Sequence, residues 1–371
     1  MSGDVLVVGG GMAGVSIGAE LADKCRVILV EGEAQLAFHS TGRSAAMYLP
    51  SYGGRVVRAV TEASREGYDE ISEERGEPLL TSRSLLWVAF DDQGDVAVRT
   101  LAAESAAVDL VAADVAIDLC PVLRPDLVRF AGLDAAGMEI DVAGLHQAYL
   151  RRFRARGGIV VLASPVTDIA PRATGWRVTA GQQQIEVDHI VDAAGAWADR
   201  VAEMAGIPSI GLVPKRRSAF LSPVATSYEG MDRWPMVDDG AEGWYFKPEA
   251  GGLLVSPADA TPVEPHDARP EEIEIARAIE AINECTVLGL RSVSHSWAGL
   301  RSFVHDEIPV VGARSDHPGF FFFAGQGGYG IQMAPALARI GASLLLNGTL
   351  ASDLVVPDIS AETFSPDRLG G

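Results

Sequence analysis

The sequence predicts an α/β chain (α+β overall) in which a parallel β-α-β domain is interleaved with a second domain built on an antiparallel sheet. Three observations carry this reading. At the start of the chain an apolar strand, Val5 to Val8, feeds a glycine turn and a helical stretch. In mid-chain a second apolar strand runs into another turn of small residues, Ala193-Ala194-Gly195-Ala196-Trp197. Between about 210 and 295, strand-like runs alternate with turn residues, the pattern of an antiparallel sheet.

The first turn, Gly9-Gly10-Gly11-Met12-Ala13-Gly14, is a Gly-x-Gly-x-x-Gly sequence with strand before and helix after. Gly9 permits the tight turn, Gly11 lets a pyrophosphate approach the backbone, and Gly14 lets helix and strand pack closely. The free N–H groups at the helix start, where Met12 and Ala13 lie, then face phosphate. A second strand, Val27 to Val30, ends at Glu31, where a carboxylate can accept from a ribose diol and would repel a 2′-phosphate. The unit is therefore expected to be a Rossmann-like site for a dinucleotide other than NADP.

Further along, Gln35 to Pro50 is rich in Ser, Gly and Ala and reads as a ligand-covering loop with a short helix. Val56 to Arg75 reads as helix and Ser82 to Phe90 as strand. Val142 to Arg156 has helical apolar spacing and a Gly157-Gly158 stop. Ile159 to Leu162 then reads as a buried parallel strand, and Trp176–Thr179 with Ile185–Val187 as a hairpin. The runs Ser218–Leu221, Trp244–Phe246 and Leu253–Ser256 precede an acidic helix from Pro270 to Cys285. Phe320 to Ala324 is expected as a buried strand, Gly325 to Gly330 as a glycine-rich turn, and Ile331 to Leu346 as a long helix. The chain thus crosses between domains more than once: cofactor segments 1–47, 140–209 and 298–371, and substrate segments 48–139 and 210–297.

Composition narrows the function. A chain of 371 residues with 48% hydrophobic and 22% charged residues folds rather than staying disordered. A net charge of −20 opposes nucleic acid and anionic membranes as partners. Cys25, Cys120 and Cys285 are odd in number and show no zinc or Cys-x-x-Cys spacing, so buried thiols and no metal are expected. The first strand begins so early that no signal peptide fits, and the apolar runs are strand-sized. A soluble cytoplasmic protein with no membrane span is the expectation.

Taken together these pieces resemble the FAD-dependent amine and D-amino-acid oxidoreductase superfamily, which includes D-amino acid oxidases, glycine oxidases and sarcosine oxidases. The opening turn, the Val191-Asp192-Ala193-Ala194-Gly195-Ala196-Trp197 segment and the late glycine turn occur in that family's order. Four strings are most similar to those of bacterial D-arginine dehydrogenases: His39-Ser40-Thr41-Gly42-Arg43-Ser44-Ala45-Ala46, Pro214-Lys215-Arg216-Arg217-Ser218-Ala219-Phe220, Trp297-Ala298-Gly299-Leu300-Arg301-Ser302-Phe303, and Gln326-Gly327-Gly328-Tyr329-Gly330-Ile331-Gln332. The resemblance implies non-covalent FAD and hydride transfer from Cα of a D-amino acid to flavin N5, giving an imino acid that hydrolyses to a 2-oxo acid and ammonia. The D configuration rests on the resemblance alone, and the electron acceptor is left open.

The resemblance also assigns residues. The planar fork of a guanidinium suits a carboxylate, and Arg217 and Arg301 match the substrate-carboxylate positions; Arg216 and Lys215 fit ordinary ion pairs better, although strand alternation could exchange Arg216 and Arg217. Tyr52 and Tyr245 match active-site tyrosines, suited to donating hydrogen bonds rather than to acting as bases. Tyr329 is a candidate cap on the pocket. Gly328 to Gln332, before the late helix, would place N–H dipoles at the N1 and C2 carbonyl region of the flavin. Ser40, Thr41, Arg43, Ser44 and Ala45 would line the isoalloxazine and pyrophosphate, with a solvated charge as the other reading of Arg43. Val166, Ala194, Gly195, Trp197, Gly299, Arg301 (in a second role), Gly327, Gly330 and Ile331 complete the expected cofactor contacts.

Two departures from the D-arginine pattern matter. Met47 stands where those relatives carry a histidine, and neither His39 nor His146 offers an evident replacement base. Leu85 stands where they carry a carboxylate. A guanidinium buried there without a counter-charge would cost several kcal/mol, in order of magnitude. With Met47, Leu49, Leu85 and Trp87 nearby, hydrophobic or aromatic D-amino acids are expected over D-arginine, with Gly328, Tyr329 and Gln332 also in the substrate pocket. The alternatives are a glycine- or sarcosine-type secondary amine oxidase with a small pocket, and a flavoprotein without catalysis. An NAD-dependent dehydrogenase is a further reading that the opening turn alone permits.

Overall fold

The computed structural model describes residues 1–226, 228–249, 251–351 and 359–370. Its central element is a six-stranded sheet in the order Val310–Ala313, Phe320–Ala324, His189–Asp192, Val5–Val8, Val27–Val30, Ile159–Val161. Neighbours from Phe320–Ala324 to Ile159–Val161 run parallel, and the edge strand Val310–Ala313 runs antiparallel. Alternate residues explain how both faces are covered. Val5, Val7, Val27, Leu29, Val191, Phe321 and Phe323 pack with the helices Met12–Leu21, Val142–Ala155 and Ala334–Asn347. Leu6, Val8, Ile28, Val30, Ile190, Phe320 and Phe322 face a three-stranded antiparallel layer, Val166–Pro171, Trp176–Ala180 and Gln183–Val187, together with the short helix Ala198–Met204.

The parallel strand expected from Ile159 to Leu162 forms, but it is not buried. It is the sheet's edge, with Ile159 48% and Leu162 40% exposed. An apolar run reads the same at a sheet's centre and at its margin, so only the topology decides. The thiols also differ from expectation: Cys120 is fully buried, and burial pushes it up to about 12, while Cys25 and Cys285 are half-buried.

An eight-stranded mixed sheet forms the second layer system, in the order His295–Phe303, Val213–Pro223, Gly252–Ser256, Tyr245–Glu249, Met236–Asp238, Leu85–Ala89, Phe130–Asp134, Asp109–Ala112. Its pairs are antiparallel except where Met236–Asp238 meets Leu85–Ala89 in parallel. That junction joins the 80s to the 230s, so two distant stretches of chain complete one sheet. Its outer face (Leu86, Val88, Val237, Phe246, Leu253, Val255) packs on the helix Glu272–Cys285 through Ile275, Ala278 and Ile282. Its inner face carries Leu85, Trp87, Met236, Tyr245 and Leu254. A small antiparallel sheet, Met47–Tyr48, Met138–Ile140 and Leu80–Ser82, stands beside it. The helices Arg55–Ala63 and Arg65–Arg75 replace the single helical stretch expected from Val56 to Arg75. Among the described residues no helix is long and apolar enough to cross a membrane, and no His, Cys, Asp and Glu side chains cluster as a metal site.

Candidate active site

The inner face of the mixed sheet and the carboxyl ends of the parallel strands enclose a cleft of about 570 Å³. One part is built from the opening turn. Gly9 has φ of 105°, and a Cβ there would lie 2.5 Å from the Ala193 carbonyl oxygen. A Cβ on Gly14 would overlap the Gly9 carbonyl, so Gly14 serves helix–strand packing and does not itself line the cleft. Gly11, by contrast, would place a Cβ near nothing closer than Thr41 Oγ1, at 3.1 Å. Its openness faces the cleft.

Glu31 lines the cleft too. Its Oε2 accepts from the Gly10 N–H at 2.7 Å and its Oε1 from the Glu33 N–H at 2.9 Å. Each oxygen keeps further lone-pair capacity for a diol. Thr41 Oγ1 accepts from the Met12 N–H at 2.9 Å, at the start of the first helix. His146, buried on the helix Val142–Ala155, holds the loop from below: its Nε2–H donates to the Gly10 carbonyl at 3.0 Å. Burial lowers His146 below the usual imidazole range. The unfolded imidazole, near about 6.5, therefore takes its proton first, so this contribution to stability is present above that pH and is lost as pH falls. Thermal denaturation of cofactor-free protein from neutral to mildly acidic pH is expected to show a smaller acid loss in His146→Gln than in wild type.

Around this floor run the loop residues Ser40, Thr41, Arg43, Ser44 and Ala45, with Val166, Ala194, Gly195 and Trp197. Arg43 is a clamp and not a solvated charge. Its guanidinium donates to the carbonyls of Phe38, Ala268 and Ala298 and pairs with Asp267. Ser40 Oγ donates to the Leu300 carbonyl at 2.7 Å, tying the loop to the strand His295–Phe303. Gly299, Gly327, Gly328, Gly330 and Ile331 line the same cleft. The late helix begins at Ala334, capped by Met333, so Gly328 to Gln332 form a turn ahead of it rather than its first turn.

A smaller compartment of about 70 Å³ adjoins the cleft. Arg217, Tyr245, Arg301 and Gly328 line both spaces. Met47, Leu49, Tyr52, Leu85, Trp87 and Gln332 line only the smaller one, and so do Met236, Ala258, Asp238 and Glu242. Tyr329 lines neither. It packs edge-on behind Tyr52, ring centroids 5.1 Å apart, and against Phe303, so its expected capping contact gives way to a supporting one. Tyr52 sits on a turn fixed by Ser51 Oγ donating to buried Asp134 and by Arg58 donating to the Gly53 carbonyl.

The alternation that could have exchanged Arg216 and Arg217 is resolved. Buried Arg216 pairs with Asp259 (Nε–Oδ2 3.0 Å) and with Glu271. Arg217 points to the compartment, and its Nε donates to the Asp259 main-chain carbonyl at 2.9 Å. Asp259 thereby orients the neighbour of the arginine it neutralises. Neither Arg217 nor Arg301 has a carboxylate partner among the described residues; Arg301 Nη1 donates only to Tyr52 Oη, at 3.4 Å. Burial pushes the Tyr52 phenol up, so its O–H stays available to donate.

Asp238 and Glu242 are the site residues that sequence reasoning missed. Their signal is the alternation Met236-Val237-Asp238, which sends Met236 and Asp238 to the inner face, and the register that sets Asp238 opposite Tyr245 and beside Trp87. A three-residue strand is too short to show that period by itself.

The model of one family, FAD dependent oxidoreductase, matches residues 4–344. The chain belongs to that family. Relatives include glycine oxidase of Pseudomonas putida, 27% identical over the whole of both chains, and mitochondrial dimethylglycine dehydrogenase of Mus musculus, 24% identical over 99% of this chain. This chain spans 44% of the length of that dehydrogenase, less than half. Among solved structures, L-proline dehydrogenase from P. horikoshii aligns with a TM-score of 0.84 at 21% identity, covering 99% of this chain and 97% of that one. Glycine oxidase from Geobacillus kaustophilus gives 0.81 at 20% identity, with 93% and 94% covered. As an FAD-dependent oxidoreductase the protein takes FAD, and its own residues fit that group. The open Gly11, the acceptor Glu31, the helix start at Met12 and the small-residue walls at Gly299 and Gly328 leave a cleft that a Cβ at the critical glycines would obstruct.

Proposed function

We propose that this FAD-dependent oxidoreductase oxidises the carbon–nitrogen bond of a small amino acid or N-methylated amino acid of the glycine and sarcosine type. The observation that carries the reading is the pair Arg217 and Arg301, free of protein carboxylates, at the mouth of a compartment of only about 70 Å³. The compartment is smaller than the about 150 Å³ that takes a benzene ring, which favours a short side chain over an aromatic one. The names of the relatives, glycine oxidase and dimethylglycine dehydrogenase, point the same way. The D-amino-acid reading, with Met47, Leu49, Leu85 and Trp87 receiving a short apolar side chain, is the second choice.

In this reading the arginines hold the substrate carboxylate, and Tyr52 and Tyr245 donate to it and fix its angle. Held there, FAD would supply the two-electron acceptor for hydride from the substrate carbon, and the imine product would hydrolyse in water. The residues around the opening turn, the 40s loop and the late glycine turn hold the cofactor. The walls from Met47 to Trp87 keep water from the reacting carbon.

The test is anaerobic bleaching of the yellow protein by one amine at a time. Sarcosine, N,N-dimethylglycine, glycine or proline is expected to reduce it faster than D-leucine or D-phenylalanine. Faster bleaching by D-phenylalanine would overturn the small-pocket reading, and no bleaching by any amine would overturn amine oxidation itself.

A further inference from the structure

The compartment holds more charge than its task of binding a carboxylate explains. Asp238 is 8% exposed and Gln332 3% exposed, and both line it. Gln332 Oε1 accepts from the Leu49 N–H, which fixes the amide's orientation and leaves buried Nε2 without an acceptor. That orphan donor stands with Arg217 and Arg301 as a group awaiting an anion. Asp238 is its counterpart. Oδ1 accepts from the Gly240 N–H at 3.0 Å, and although the Arg217 charge acts on the carboxyl, no cation reaches ion-pair distance of it among the described residues. Glu242 lines the same space with φ of 58°, a left-handed conformation that strains a non-glycine residue and collects at functional sites. One wall of the compartment thus wants an anion and another wants a cation.

We infer that Asp238, with Glu242 beside it, forms the subsite for a protonated nitrogen of the substrate. The inference rests on the amino-acid reading above and specifies the charge of what is bound. Burial and the charges of Asp239 and Glu242 push Asp238 well above the usual carboxylate range. An arriving cation relieves that penalty, whereas an apolar group would leave it in place. The nitrogen is either the amino group being oxidised or one on a short side chain. In this reading the apolar pocket expected from Leu85 gains a carboxylate from the neighbouring strand, two residues along from Met236, which pairs with Leu85.

Two isosteric pairs separate the sources on the FAD-loaded protein, with binding read from the flavin spectrum and by calorimetry. Glycine betaine against 3,3-dimethylbutanoate changes only the charge next to the carboxymethyl group. 2,4-Diaminobutyrate against norvaline, in both configurations, changes it at the side-chain end. In wild type at least one cationic member is expected to bind 10-fold or more tighter than its neutral twin. Asp238→Asn is expected to bring that ratio towards one while keeping FAD and the affinity for 3,3-dimethylbutanoate, which reports an intact anion site. Glu242→Gln, near the surface, should lower the ratio a few-fold and guards against an Asp238 variant that fails to fold. Wild-type ratios at or below one in both pairs would overturn the subsite, as would a ratio that Asp238→Asn leaves unchanged. Because binding needs no turnover, protein that discriminates the pairs yet is bleached by no amine would sink the oxidation reading and leave the subsite standing.

Discussion

Arg301→Met is expected to lower kcat/KM for the preferred amine by about 10²- to 10³-fold, the loss that follows from deleting one partner of a buried charge pair worth about 3–4 kcal/mol. The same variant is expected to be at least as stable as wild type. Arg301 is held only by the Tyr52 hydroxyl, at 3.4 Å, and no carboxylate of the described chain pairs with it. A cation kept there without a partner costs stability, and an apolar side chain of similar length removes that cost. Arg301→Lys keeps the charge and loses the fork, so its expected loss is nearer about 10-fold, mostly in KM. Arg216 gives the contrast. It is bound to Asp259 and Glu271, so Arg216→Met should destabilise the fold, whereas Arg301→Met should not. Steady-state kinetics with thermal denaturation on the same samples checks both halves. Full activity in Arg301→Met would remove the carboxylate site from this cleft.

How much of this was legible in the sequence depends on the length of the signal. The opening turn was readable because six residues, a strand, a helix and an acid must agree, and each has its own steric or electrostatic task. The strands Val5–Val8, Val27–Val30 and Phe320–Ala324 were readable from apolar runs that fill both faces of the parallel sheet. Arg216 and Arg217 are adjacent on one strand, and alternation tells only that they face opposite ways. Which of them meets the cofactor cleft is set by Asp259, forty-odd residues on, which takes the hydrogen bonds of Arg216 and Ser218. Tyr329 was misplaced for a related reason: a residue within a glycine turn can point to either side, and here it packs edge-on behind Tyr52. Asp238 was missed because its strand is three residues long and gains its place by pairing in parallel with Leu85–Ala89. Such a pairing leaves no local mark. The helix Asp92–Glu104 did leave one, since Asp91 Oδ1 caps it by accepting from the Gly94 N–H. Met47, Leu49, Leu85, Trp87, Gly328 and Gln332 line the compartment as expected; Asp238 was out of reach because long-range sheet topology, and no local rule, chooses that neighbour.

Gly14→Ala is expected to abolish FAD binding and to destabilise the protein severely. The added Cβ would overlap the Gly9 carbonyl, which is backbone and cannot swing aside. Gly9 in turn is fixed: its N–H donates to the Val30 carbonyl at 2.8 Å and its φ of 105° suits only glycine. Relief would require the first helix to lift from the sheet, yet that helix is clasped between Val142–Ala155 and Ala334–Asn347 and is buried along most of its length. Overpacking of this kind costs about 1–3 kcal/mol where side chains can adjust, and more where backbone meets backbone. A loss at or beyond the top of that range takes a large share of a total stability of about 5–15 kcal/mol, so the folded state melts at a much lower temperature. Gly11→Ala is the informative companion. Its Cβ meets only the Thr41 hydroxyl at 3.1 Å, so the fold should survive while the approach to the pyrophosphate narrows. Circular dichroism melts with the flavin absorbance of purified protein distinguish the two: Gly14→Ala should lose the flavin and melt at a much lower temperature, Gly11→Ala only lose the flavin. Should Gly11→Ala retain tightly bound FAD, the opening turn would not be where the pyrophosphate meets the backbone.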